Sequence, residues 1–244
     1  MTFETIRAEI LPGGVGLLTL YRPERRNALS IAMRREISAC LGAWREAPEV
    51  GAAVLTGSGA AFCAGFDLTE FGEPGRFDEL LESSARYHRD VWAFPKPLLA
   101  AVNGPAVAGG FDLATLCDLR LATEEASFAH PELRLGAPPI FTPLRWIVGD
   151  GLARDLVLTG RRLSAEEALR AGLVSRVLAS ARLLPEAVEV AVRILEAPAE
   201  AVAFLKSSVI RSGGRSFEEG FRVEHDQAFR EVLLPRFRLS PPGR

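Results

Sequence analysis

Four short apolar runs constrain this chain most. They are "GGVGLLTL" (13–20), "GAAVLTG" (51–57), "PLLAAVNG" (97–104) and "LRLAT" (119–123). Each has the length of a strand and is apolar on both of its alternating faces. Such strands belong in a sheet that is covered on both sides. Helical patterns stand between them. Ser30 is placed to cap "SIAMRREISACLGAW" (30–44), and residues 76–94 carry apolar positions at helical spacing. Strand, glycine and helix therefore recur, which predicts an α/β fold that follows a stacked ββα path.

The last third changes character. "SAEEALRAGL" (164–173) predicts a helix with Ser164 at its N-cap, Glu167 completing a capping box and Gly172 ending it. "LLPEAVEVAVRILEAP", "AEAVAFLKSSVIRS" and "SFEEGFRVEHDQAFREVLL" then read as three successive helices. A boundary is expected near residue 180. It separates a core (1–180) from a helical region (181–244) whose apolar content suits packing on a neighbour or a partner subunit. The tip "SPPGR" is expected to be loose.

Several classes of function are excluded or disfavoured. The chain has 244 residues with 29 basic and 31 acidic ones, a net charge of −2, so no basic field invites nucleic acid. No apolar run approaches the roughly 20 residues that cross a bilayer, so no membrane partner is expected. The start, "MTFETIRAEILPGG", is a poor signal peptide. Cys40, Cys63 and Cys117 are odd in number and widely spaced, as in a chain with reduced thiols in the cytoplasm. His88, His130 and His225 share no ligand spacing and no Cys pair forms CxxC, so no metal is expected. "GSGAAF" (57–62) has Phe62 where a dinucleotide fingerprint needs its third glycine. There is no P-loop lysine and no G-x-S-x-G elbow.

One segment asks for chemistry. "NGPAVAGGFDLATLCDLRLAT" (103–123) places two adjacent glycines, then an acid, Asp112, inside an apolar run. A short helix after the glycines would expose the free N–H groups and positive dipole of its first turn, where a developing oxyanion could sit. A capping Asp beside tight helix packing explains the same residues. Two other segments have related features. "GAAFCAGFDL" (59–68) leaves a strand through small residues, and "FAHPELRLG" (128–136) carries Glu132 in a turn behind a proline.

In this order the three segments resemble the crotonase superfamily, the enoyl-CoA hydratase/isomerase group. The resemblance extends over "YRPERRNALS", "AAVLTGSGAAFCAGFDL", "KPLLAAVNGPAVAGGFDLATLCDLRLAT", "ASFAHPELRLG" and "LVLTGRRLSAEEALRAGLVSRV". It implies a crotonase-type spiral of stacked ββα units with a C-terminal helical region for trimerisation. It also implies an acyl-CoA thioester substrate, no separate cofactor, and a homotrimer or dimer of trimers.

The resemblance assigns roles to residues. The N–H groups of Phe66 and Gly109 form the oxyanion hole, with Ala108 standing where the family has its first glycine and Gly110 beside it. Asp112 and Glu132 are the acid–base carboxylates of a hydratase that adds water to a trans-2-enoyl-CoA. Backbone around Ala64, Asp67 and Leu68 receives adenine. Arg25 or Arg26 receives the phosphates, and Lys206 is a further phosphate candidate. An isomerase, or an acyl-CoA-binding relative without turnover, uses the same residues differently. The chain departs from the family's pattern at Asp112, where hydratases usually have Glu. The shorter side chain falls short by about one C–C bond, ~1.5 Å. It departs again at "APPIFTPLRWIVG" (137–149), where Ile140, Phe141 and Trp146 are available to an apolar acyl group. His130 lies two residues before Glu132 and is read mainly as structural.

Overall fold

A computed structural model describes residues 2–72 and 75–211, together with residues 227 and 231. The chain opens with a hairpin, β1 (Ile6–Leu11) antiparallel to β2 (Val15–Leu20), and continues through α1 (Ile31–Glu46) to β3 (Ala52–Gly57). Helix α2 (Phe77–Trp92) leads to β4 (Leu98–Val102). The short β5 (Ala106–Val107) and α3 (Gly109–Leu116) follow, then β6 (Leu119–Thr123) and β7 (Ser127–Ala129). Beyond them come α4 (Thr142–Thr159), β8 (Leu163–Ser164), α5 (Ala165–Arg170), β9 (Arg176–Leu178), α6 (Ser180–Leu195) and α7 (Ala199–Arg211).

The main sheet runs β1-β2-β3-β4-β6-β9, and every pair after the first is parallel. All four apolar runs are in it, and they are buried on both faces for the reason their composition suggests. On one face Leu18, Leu20, Ala53, Leu55, Leu98, Ala100 and Val102 pack into the main core with α1, α2 and α3. On the other face Val15, Leu17, Val54, Leu99 and Leu121 meet Leu183, Ala187 and Ala191 of α6. A boundary at residue 180 therefore cuts through one packed body, because α6 closes the second face of the sheet. The segment read as the third tail helix, 216–234, lies outside the described residues apart from positions 227 and 231.

The caps match their sequence signals. Ser30 accepts from Met33 N, and Ser164 and Glu167 form the full capping box. Helix α4 begins inside the 137–149 stretch, which the sequence placed beside the acyl group. Its Pro143 sits in the first turn, where a missing N–H costs nothing, and Gly149 (φ 79°) breaks its middle. No helix among the described residues is long and apolar enough to cross a membrane.

A small second sheet positions the site. β5 pairs in parallel with β7, aligning Val107 with Ala129, and β8 pairs antiparallel on the far side of β7. The residues that follow β5 and β7 thus emerge side by side. An isolated parallel bridge joins Cys63 to Ala106 and another joins Leu29 to Phe66, which brings the 63–66 segment alongside β5.

Candidate active site

The N–H groups of Phe66 and Gly109 come together through backbone geometry. Leu29 N donates to Gly65 O and Leu29 O accepts from Asp67 N, so the N–H of Phe66, between them, points to the other side. Gly109 opens α3, and its N–H has no intrahelical acceptor. Neither amide has a protein acceptor among the described residues. The two lie close together. A Cβ at Gly65 would stand 3.3 Å from Gly109 N, and one at Gly109 would stand 2.9 Å from the Phe66 ring. Gly65 itself has φ +91° and permits this approach.

Two devices hold the hole. The buried Arg34 guanidinium lies 4.5 Å over the Phe66 ring, donates to Leu29 O (2.8 Å) and to Ser83 Oγ, and faces Glu70 at 3.7 Å. Ala108, before Gly109, adopts φ 51°, ψ −126°, with its N–H bonded to Ala129 O at 2.8 Å. That is a strained conformation for a residue with a Cβ. Gly110 is needed for packing, because a Cβ there would come within 2.3 Å of Cys63 O.

Asp112 and Glu132 converge on His130. Asp112 lies three residues after Gly109, nearly one helical turn, and is 7% exposed. His130 follows β7, is wholly buried and stacks on Phe111 with ring centroids 4.6 Å apart. Its Nδ1 is 2.8 Å from Glu132 Oε1 and its Nε2 is 3.7 Å from Asp112 Oδ1. One donor atom from each of the three residues lies within 4.8 Å of the others. Burial pushes the Asp112 carboxyl up to about 7, with Glu132 adding to the rise and His130 opposing it. His130 Nε2 and Glu132 Oε2 are buried without a protein partner.

Side chains of these types would also suit a cation, and sequence spacing gave no hint that they meet. The 2.8 Å contact that engages Nδ1 with Glu132 favours a proton-sharing network.

The binding residues divide. Arg25 and Arg26 are exposed on the 22–28 loop, and their side chains have no ion pair or hydrogen bond among the described residues. Arg22 is spent on Asp67 (3.0 Å) and Ala28 O (2.7 Å). The Asp67 carboxylate also accepts from Thr69, and these contacts hold it below the usual range against a desolvation that raises it. The N–H groups of Ala64 and Asp67 are taken by Arg26 O and Leu29 O, and Asp67 O accepts from Glu70 N, so of these two residues Ala64 alone keeps a backbone carbonyl without a backbone donor among the described residues. Leu68 is largely exposed, Ile140 is partly so, and Phe141 packs against the main core. Trp146 lies 5.6 Å from the Trp92 ring and lines a cavity of about 580 Å³ with Leu116 and Cys117, at the end of α3 opposite Gly109.

Lys206 requires a correction. It is 6% exposed, and its Nζ lies 2.6 and 2.7 Å from the two oxygens of Asp118. Its ammonium is spent within the fold and is not free for a phosphate.

Sequence reasoning missed Asn27 and Arg34. Asn27 is buried, with φ +55°, and its amide donates to Ser58 O and Ala61 O at 2.9 Å, tying the arginine loop to the glycine turn. The Asn after two arginines was the available signal, since Asn tolerates the left-handed region better than most residues. Arg34 had no signal: its position on α1 reads as an ordinary helix surface.

Known proteins bear on this geometry. A "Probable enoyl-CoA hydratase" of Rhizobium meliloti is 42% identical over 227 residues, 92% of this chain and 88% of the relative. The mitochondrial enoyl-CoA hydratase of Pongo abelii is 39% identical over 214 residues, 86% of this chain and 73% of the relative. A crystal structure of enoyl-CoA hydratase from Bacillus anthracis superposes with a TM-score of 0.90 at 31% identity, covering 97% of this chain and 93% of that one. The family model described as "Enoyl-CoA hydratase/isomerase" matches residues 11–231. With the crotonase-type fold, these matches establish that the chain belongs to the enoyl-CoA hydratase/isomerase family.

Proposed function

We propose that this protein is an enoyl-CoA hydratase that adds water across the double bond of a trans-2-enoyl-CoA to give the 3-hydroxyacyl-CoA. One observation carries the reading: two adjacent unspent amides, Phe66 and Gly109, lie at the start of α3, whose first turn bears the buried Asp112, and the part-buried Glu132 meets Asp112 there through His130.

The thioester oxygen sits between the two amides. Water oxygen bonds to C3 and gives a proton to an ionised carboxyl group. The π pair moves toward the thioester oxygen, and the amides stabilise the enolate there. C2 then takes a proton from the carboxyl group that holds one, and the enolate collapses to the product. Each oxyanion donor contributes about 3 kcal/mol to the transition state. No cofactor takes part, because coenzyme A arrives as part of the substrate.

Arg25 and Arg26 meet the CoA phosphates, and the backbone of Ala64, Asp67 and Leu68 meets adenine. Ile140 and Phe141 border the acyl end. The working assembly is a homotrimer or dimer of trimers in the cytoplasm, and residues from 181 onward supply its contacts.

The test is hydration of crotonyl-CoA and of longer, branched and aromatic enoyl-CoA thioesters, followed by loss of the conjugated enoyl-thioester absorbance. Asp112→Asn and Glu132→Gln should each lower kcat by roughly 10²- to 10⁴-fold. An isomerase would tolerate one of the two changes. Tight acyl-CoA binding without turnover on any chain would overturn the enzyme reading.

A further inference from the structure

The two amides and two carboxyls account for hydration, but not for the ring between them. His130 is wholly buried, stacked on Phe111, and followed by Pro131. Its carbonyl oxygen is packed so closely that a Cβ at Gly160 would come within 3.0 Å of it. The preceding residue, Ala129, is bonded to Ala108 N. Phe111 therefore holds the ring and three neighbours fix the backbone that carries it, and its two nitrogens face two different carboxyl groups.

Resting on the hydratase reading, we propose that His130 is a positioning residue that joins Asp112 and Glu132 into one acid–base unit, holding Glu132 through Nδ1 and presenting Nε2 to Asp112. An ionised Glu132 can only accept, so Nδ1 carries a hydrogen toward it. At 3.7 Å, Nε2 and Asp112 Oδ1 are in electrostatic contact and a small approach short of a hydrogen bond; on closing that gap a neutral ring accepts from the protonated acid, or an imidazolium donates to the carboxylate. Both contain the same single proton. In either arrangement one proton lies between Asp112 and the ring, beside the acceptor oxygens of Glu132, which is the complement hydration needs: one group to accept from water and one to deliver to C2. The ring also gives the shorter Asp112 a fixed neighbour on the site side of α3.

Other titratable and charged groups surround the cluster, among them His88 on α2, whose pKa burial lowers and whose ring lies 4.2 Å from that of Tyr87. Burial holds Tyr87, on α2, well above its usual value and pushes Cys63, beside β5, up to about 12. Arg34, on α1, is bonded to Leu29 O and Ser83 and faces Glu70. The charged residues of α4 pair at the surface: Arg145 and Arg154 with Asp150, and Asp155 with Arg161.

The test uses two variants and two readouts. His130→Gln retains hydrogen-bonding groups but cannot titrate. It should keep KM within about threefold, lower kcat roughly tenfold and move the acid limb of the kcat–pH profile by about one unit. His130→Phe should lower kcat about a hundredfold or more. A His130→Gln profile that superimposes on wild type, or full kcat in a folded His130→Phe, overturns the proposal. The second readout needs no turnover. The chain has three histidines, so imidazole NMR resonances can be assigned by substitution. The His130 titration should move to lower pH in Asp112→Asn; an unchanged titration overturns the coupling. A wild type that hydrates no enoyl-CoA while the NMR coupling is present would defeat the hydratase reading and leave the coupled cluster standing.

Discussion

Two buried polar clusters sit at opposite ends of α3, and they are built on opposite terms. At its C-terminal end, Asp118 accepts from Leu98 N and from Lys206, while Arg120 donates to Leu173 O and Cys117 O at 2.6 Å each. The charges there are matched by close partners. At the N-terminal end, His130 Nε2 and Glu132 Oε2 have no protein partner, Asp112 is pushed up to about 7, and two amides wait without acceptors. A saturated cluster supports the fold. An unsaturated one retains desolvation cost that substrate and water can relieve, which is the signature of a site for chemistry.

The contrast predicts opposite responses to neutralising one charge. The largest effect should be at Asp112. Its pKa is raised in the fold, so between about pH 4 and 7 the native state binds more protons than the unfolded state. Stability from this group therefore falls as pH rises through that window and levels off above it. From about 3.8 to about 7 the change is on the order of 4 kcal/mol. Asp112→Asn removes the dependence. Urea unfolding from pH 4 to 8 should show the variant gaining on wild type as pH increases. A constant difference between the two would mean that Asp112 is solvated after all.

The other cluster should respond in the opposite direction and without help to the variant. Lys206→Met leaves Asp118 with Leu98 N as its remaining close partner and should cost about 3 kcal/mol in unfolding free energy. KM for the acyl-CoA should remain at its wild-type value, because the ammonium is already spent. A stable variant with a raised KM would return Lys206 to the phosphate role that its sequence position suggested.

The different legibility of these clusters has a physical basis. The strands, α1, α2 and α5 were readable because their signals are local: a run of apolar residues, a capping Ser, an ending Gly. Phe66, Gly109, Asp112 and Glu132 were assigned through resemblance, since nothing local in "FCAGFD" or "HPELRLG" says that they meet. They meet because β5 and β7 align Val107 with Ala129. His130 gains its importance from that same register, and no ligand spacing could reveal it. Lys206 was misread because its partner lies 88 residues away. Helix α4 was not legible in 137–149 because Pro143 and Gly149, which suggest a break, occupy its first turn and its kink.

The smallest expected effect lies where the chain replaces a family glycine. Ala108 holds φ 51°, ψ −126°, a combination that costs a residue with a Cβ about 1–3 kcal/mol. Replacing it with glycine relieves that strain but adds freedom to the unfolded chain, worth up to about 1 kcal/mol in the other direction. Ala108→Gly should therefore stabilise by about 1 kcal/mol, or about 2–4 °C in Tm for a chain of this size. The same change removes a methyl that stands against Gly65, where a Cβ would come within 2.9 Å of it. That contact helps to keep the Phe66 and Gly109 amides side by side, so kcat should stay level or fall even as Tm rises. A variant that loses stability would show that the surrounding hydrogen bond from Ala108 N to Ala129 O holds this turn with little strain, and that the alanine is the better residue on both counts.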